Sequence, residues 1–180
     1  MKGIVILADY FEDAEMIMTI DLLNRANIKT DLVSITGSTL LKTQSGVTIK
    51  ATKTIDDIEL DDYDFVFLPG GMAVSKTHLK SEITQGILLH FYLKNQLIAL
   101  ICAAPSVLGD MGLLKDTKYT CFPGFEKYCT DGVHLDEQVV TSSNIITAKA
   151  LGAVIPFSYE IIKYLKDEDT AKKVLNSIYY

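Results

Sequence analysis

Three stretches of apolar, β-branched sequence constrain this chain most: Gly3-Ile-Val-Ile-Leu-Ala8, Tyr63-Asp-Phe-Val-Phe-Leu68 and Leu97-Ile-Ala-Leu-Ile101. A strand with one wet face alternates apolar and polar residues. A strand without that alternation is covered on both faces, as in a parallel sheet between layers of helices. The intervening segments supply the helices. Ala14 to Asn27 reads as a helix with Asp13 as its N-cap, and Lys29 to Ile35 as the next strand. Together they make a βαβ unit with a right-handed crossover. Leu40 to Thr43 and Val47 to Lys50 flank Gln44-Ser-Gly46 as a small hairpin, and Asp56 to Asp62 is an acidic connector. Helices are expected at Lys80 to Lys94, Ala103 to Met111, Val154 to Leu165 and Glu168 to Ser177. Val139 to Thr141 pairs with Ile145 to Thr147 across Ser142-Ser-Asn144. No repeat or linker interrupts this order, so residues 1–180 form one α/β domain with a mostly parallel sheet.

Composition narrows the function classes. The 180 residues are 48% hydrophobic and 22% charged, which excludes intrinsic disorder. The net charge of −6 argues against nucleic acid or an anionic membrane as a partner. Arg25 is the single arginine, so no multi-arginine clamp for phosphate or carboxylate exists. The three cysteines, 102, 121 and 129, have no C-x-x-C spacing and form no disulfide framework or zinc motif. The run after Lys2 is too short for a signal peptide, and the longest apolar run, Leu97 to Gly109, is too short to span a bilayer. A cytoplasmic protein is expected, with no metal and no organic cofactor.

In open α/β sheets ligands bind beyond the carboxyl ends of the strands. Three unusual segments fall there. Leu97 to Ile101 runs directly into Cys102-Ala-Ala-Pro105, with Pro105 suited to the first turn of a helix. A thiol at such a turn would feel the helix dipole and free backbone donors, which favour the nucleophilic thiolate. The layout resembles a nucleophile elbow. Taken alone, a cysteine ending a buried strand is more often a small buried hydrophobe.

Leu68-Pro-Gly-Gly71 ends another strand. Alone it is a common turn signal, yet it lets backbone approach a ligand closely. The N–H groups of Gly71 and Ala103 could form an oxyanion hole, with Gly70 lining the site. The third segment holds Glu12, Asp13 and Glu15. Acids are ordinary at a helix start. At roughly 100° per residue, however, Glu15 falls with Met18, Leu22 and Ala26 on the apolar side. A buried carboxyl has a raised pKa and can trade protons near neutral pH. Glu15 beside Cys102 would pair an acid/base with a nucleophile.

Together these segments resemble the ThiJ/PfpI superfamily, and within it the clade of the Parkinsonism-associated deglycase. The resemblance covers nearly the whole chain. It is carried by Ile6-Leu-Ala8 with Glu15, Asp21-Leu-Leu-Asn-Arg-Ala26, Leu68-Pro-Gly-Gly71 and Ile98-Ala-Leu-Ile-Cys-Ala-Ala-Pro105. It implies a flavodoxin-like three-layer α/β/α sandwich, related to class I glutamine amidotransferases. It also implies an elbow cysteine, a glutamate from the first helix and a homodimer. The chain departs from the superfamily pattern at several positions. Ala103 stands where intracellular-protease members carry histidine, and no histidine follows His134 to serve as an amidotransferase base. Phe122, expected to line the site, precedes Pro123 where the deglycase-like clade sometimes has histidine. Ser45 and Lys149 stand near or at that clade's arginine positions, and Ala150-Leu-Gly-Ala153 replaces a Gly-Pro-Gly-Thr turn. His78, His90 and His134 read as solvated or packing residues, and Cys121 and Cys129 as ordinary thiols, though Cys121 borders the Phe122-Pro123 turn.

The resemblance implies a glutathione-independent glyoxalase or deglycase acting on aldehydes or dicarbonyls such as methylglyoxal through Cys102 and Glu15. The alternative is a redox-responsive or chaperone-like protein whose elbow thiol is oxidised to sulfinate. Peptide hydrolysis is the least favoured reading because of Ala103.

Overall fold

The computed structural model describes residues 1–180. In chain order the elements are β1 (Lys2–Leu7), α1 (Asp13–Arg25), β2 (Lys29–Ser34), β3 (Leu40–Lys42), β4 (Thr48–Lys50), β5 (Lys53–Thr54) and β6 (Phe65–Leu68). Then come α2 (Met72–Lys80), α3 (Glu82–Leu93), β7 (Leu97–Ile101), α4 (Pro105–Asp110), β8 (Lys118–Tyr119) and β9 (Val133–His134). The chain closes with β10 (Val139–Ser142), β11 (Ile145–Ala148), α5 (Val154–Leu165) and α6 (Glu168–Ser177). Seven strands form the central sheet in the order β10-β11-β7-β6-β1-β2-β5. All pairings are parallel except β10 with β11.

The unbroken apolar strands do what their composition dictates. All residues of β6 and β7 are buried, and alternate side chains enter two separate cores. Val5, Leu7, Phe65, Phe67, Ala99 and Ile101 meet α1, α5 and α6 on one face. Ile4, Ile6, Val66, Leu68, Ile98 and Leu100 meet α3 and α4 on the other. One sheet between two helical layers is the expected α/β/α sandwich. Because β7, β6 and β1 are neighbours running the same way, the turns after Leu7, Leu68 and Ile101 leave the sheet side by side.

Beyond the short strands β5, β8 and β9, which were not expected, the elements differ from expectation at three helix starts. The segment after Gly71 is a helix, α2, and the single expected helix at Lys80 to Lys94 starts later. Ser81 separates α2 from α3 and caps α3 by accepting the Thr84 N–H at 3.2 Å. Glu12, not Asp13, holds the N-cap position of α1, while the Asp13 carboxylate takes the Ser45 hydroxyl. The helix expected from Ala103 begins only at Pro105 and lasts six residues. No helix is long and apolar enough to cross a membrane.

Candidate active site

Cys102 leaves β7 with φ +63°, in the left-handed region. For a non-glycine residue such a backbone costs about 1–3 kcal/mol and persists only where its surroundings enforce it. Two backbone bonds do so here. The Cys102 N–H donates to the Ala148 carbonyl of β11 at 2.9 Å, and the Cys102 carbonyl accepts the Phe122 N–H at 2.7 Å. The chain then turns at once, with the Ala104 N–H on the Ile101 carbonyl at 3.1 Å. This is the geometry of an elbow that lifts the side chain off the sheet end.

Glu15 comes from the first turn of α1 and is 1% exposed. Its Oε2 accepts the Gly70 N–H at 2.9 Å, and the carboxyl lies beside the Cys102 thiol, the two lining one cleft. Glycine is required at 70, because a Cβ there would lie 2.5 Å from Cys102 Cβ and 2.7 Å from Glu15 Oε2. Gly71 has φ +125°, and a Cβ there would meet the Tyr10 carbonyl at 2.8 Å. The Glu12 N–H donates to the Gly70 carbonyl at 2.9 Å, which ties the start of α1 to this loop. The N–H groups of Gly71 and Ala103 converge on the Cys102 sulfur and favour its charged form. Cys102, Glu15, Gly70, Gly71 and Ala103 are therefore brought together, as expected.

The electrostatics differ from expectation in one respect. Burial pushes the Cys102 pKa up, the charge of Glu15 adds to this, and the two N–H groups only partly oppose it. The helix-dipole argument for a low thiol pKa fails, because α4 is short and starts three residues beyond the sulfur. Burial also raises Glu15, to about 7, against the Gly70 hydrogen bond and the neighbouring Cys102 thiol, which lower it. Near neutral pH it is therefore Glu15 that gains and loses a proton, while burial keeps the Cys102 thiol protonated. When Glu15 holds its proton, the like charge opposing the thiolate is gone.

These groups floor a cleft with about 170 Å³ of internal volume. Glu12 and Gln44 form one rim, and Met72, Phe122, Ala150 and Leu151 the apolar side. Larger surface clefts occur elsewhere, but none is lined by a thiol or a buried titratable group. Gly70 lies behind the sulfur rather than on the cleft wall, and Phe122 lines it as expected. Sequence reasoning missed Gln44 and Met72, noted Ala150 and Leu151 only as a departure from the clade's turn, and treated Glu12 only as a helix-start acid. Gln44 arrives because its N–H donates to the Phe11 carbonyl at 2.9 Å, folding the β3–β4 turn over α1. Nothing in the sequence marks that landing point. The apolar arc of α1 is also shifted. Glu15, Met16, Thr19, Leu22 and Leu23 are buried, while Met18 is exposed.

No histidine lines the cleft. His78 is buried with its Nδ1 2.9 Å from Thr84 Oγ1, and burial lowers its pKa to about 4. His134 packs its ring against Tyr119. Cys121 and Cys129 sit in the other core, on the face of the sheet opposite Cys102. No group of three His, Cys, Asp or Glu side chains is arranged to hold a metal ion.

The model of the DJ-1/PfpI family matches residues 1–164. Protein dj-1beta of Drosophila melanogaster is 29% identical over 98% of this chain and 96% of its own. Deglycase PfpI of Pyrococcus furiosus is 27% identical over 92% of this chain and 100% of its own. A cysteine-to-alanine mutant of the DJ-1 superfamily protein STM1931 from Salmonella typhimurium superposes with a TM-score of 0.92 at 30% identity, covering 99% of this chain and 98% of that one.

Proposed function

The chain belongs to the DJ-1/PfpI family, and on that footing we propose that it is a cysteine-dependent, glutathione-independent enzyme acting on reactive aldehydes and dicarbonyls such as methylglyoxal. Deglycase-named relatives support an enzymatic role. The observation that carries the reading is the Glu15 carboxyl beside the Cys102 thiol at the floor of a cleft, with Glu15 titrating near 7. A general base poised at the working pH is what thiol addition needs.

The Cys102 sulfur adds to the aldehyde carbon as Glu15 takes the thiol proton. The carbonyl π electrons move to oxygen, which the Gly71 and Ala103 N–H groups would hold until Glu15 passes the thiol proton on to it and becomes a carboxylate again. Glu15 then removes the proton from the hemithioacetal carbon and returns it to the adjacent carbon. That carbon's carbonyl becomes a hydroxyl, and the first carbon becomes a thioester. Water cleaves the thioester, releasing a 2-hydroxy acid and the free thiol. The internal redox balances without a cofactor. A cleft this small, below the usual 300–1,000 Å³ of ligand pockets, suits short carbonyl compounds. A homodimer is part of the proposal, and sedimentation would test it.

The test is methylglyoxal consumption without glutathione, with lactate quantified, for the wild type, Cys102→Ala and Glu15→Gln. Lactate formed by the wild type and lost in both variants supports the reading. Equal turnover in the three overturns it. A second reading, oxidation sensing, is favoured by the protonatable Glu15 beside the sulfur, which could donate a hydrogen bond to a Cys102 sulfinate. Mild peroxide should then add two oxygens at Cys102 by intact mass, and a protein that gains none is not such a sensor.

A further inference from the structure

The rim of the cleft carries charge of one sign only. Glu12 lies on the rim and Glu15 at the floor, and no lysine, arginine or histidine lines the cleft. Glu12 is not neutralised elsewhere. Its Oε2 accepts the Gln44 side-chain amide at 2.7 Å, an uncharged partner that holds the carboxylate at the mouth. Beside it, Asp13 is held by the Ser45 hydroxyl, again without a cation. None of the nine ion pairs of the molecule includes Glu12, Asp13 or Glu15. The lysine nearest in sequence to the Ala150-Leu151 wall, Lys149, is engaged by Asp136. A half-buried, uncompensated carboxylate over a low-dielectric cleft acts on an incoming charge more strongly than one in open water.

We propose that Glu12 is the charge-selecting residue of this site: it admits carbonyl compounds whose tail carries an ammonium or guanidinium group and turns away carboxylate-bearing ones. Gln44 is the positioning residue that fixes Glu12 at the mouth. The preferred substrate class is then a short α-oxoaldehyde with a cationic tail. Neutral methylglyoxal is accepted less selectively, and glyoxylate is excluded. The proposal rests on Cys102 being the reacting thiol, but not on any turnover.

That independence sets the experiment. Cys102 is labelled with three methanethiosulfonates: methyl (neutral), 2-aminoethyl (cationic) and 2-sulfonatoethyl (anionic). In each case the thiolate attacks the sulfenyl sulfur, methanesulfinate leaves and a mixed disulfide forms. Rates at Cys102 are read by peptide mass and normalised to 2-mercaptoethanol. The cationic-to-anionic ratio should exceed that of the free thiol by about tenfold at low salt. It should fall at least about threefold in Glu12→Gln, and also in Gln44→Lys, which places a cation against Glu12. An unchanged ratio in both variants overturns the proposal. So does an equal change for all three reagents, which would mean that Glu12 shapes the cleft without selecting charge. A protein that makes lactate but shows no ratio loses this proposal and keeps its function. One that shows the ratio but makes no lactate does the reverse.

Discussion

The molecule holds two buried thiol environments on opposite faces of one sheet, and they are alike in everything but their surroundings. Cys102 is 9% exposed, Cys121 0% and Cys129 3%. Burial raises the pKa of all three, Cys121 to about 12 and Cys129 to about 11. Cys121 and Cys129 lie among Leu108, Leu114 and Tyr119, where Cys129 meets only the Pro105 carbonyl, at 3.7 Å, and the Tyr119 hydroxyl. Cys102 instead has two backbone donors, a carboxyl that titrates near 7 and an opening to solvent. A raised thiol pKa therefore does not separate a reactive cysteine from a structural one. A proton acceptor within hydrogen-bond reach and a path for the electrophile do.

The comparison breaks most sharply at Cys102 itself. Cys102→Ala should lower dicarbonyl turnover by at least about a thousandfold, as loss of a nucleophile does. Cys121→Ala and Cys129→Ala should leave turnover within about twofold. Next in size is the pH dependence of stability. The raised folded pKa of Glu15, about 7 against an ordinary 4.5, means that the folded state binds more protons between those values. Stability is then highest below the unfolded pKa and falls as pH rises through the folded one, by roughly 3 kcal/mol in all. In thermal melts between pH 4 and 8, Glu15→Gln should flatten this contribution and melt higher than the wild type at neutral pH.

Paired glycine substitutions sharpen the contrast further. In Gly70→Ala the new Cβ would meet Cys102 Cβ at 2.5 Å, and in Gly109→Ala it would meet Cys129 Sγ at 2.3 Å. Overpacking should cost about 1–3 kcal/mol at either site in denaturant unfolding. Only Gly70→Ala should also abolish turnover, since it alone displaces the Glu15–Cys102 contact. The smallest effect is that of trimming the structural thiols. Cys121→Ala and Cys129→Ala should each lose about 1 kcal/mol of unfolding free energy as small cavities open.

Much of this was legible in the sequence. The apolar runs starting at Gly3, Tyr63 and Leu97 give the central strands because a doubly covered strand cannot alternate, although the second strand begins only at Phe65. Cys102, Glu15 and Leu68-Pro-Gly-Gly71 stand out because each breaks a local rule: a thiol at a strand end, an acid on an apolar arc, and two glycines after a strand. The rest was hidden for physical reasons. Met72 to Lys80 has little apolar periodicity, and its helix is held by packing against α3 and α4. Gln44 reaches the cleft through a long-range backbone bond to Phe11 that no local pattern encodes. The thiol pKa went the other way because a six-residue helix starting at Pro105 is too short and too far from the sulfur to outweigh burial.

The most direct test is the pH profile of Cys102 alkylation by iodoacetamide, read by peptide mass in the wild type and in Glu15→Gln. If Glu15 is the proton partner of Cys102, the wild-type rate rises with pH through an inflection near 7 and then levels. In Glu15→Gln that inflection disappears, and the rate climbs only at much higher pH. Superimposable profiles in the two proteins would contradict the account, because Cys102 would then owe its reactivity to something other than Glu15.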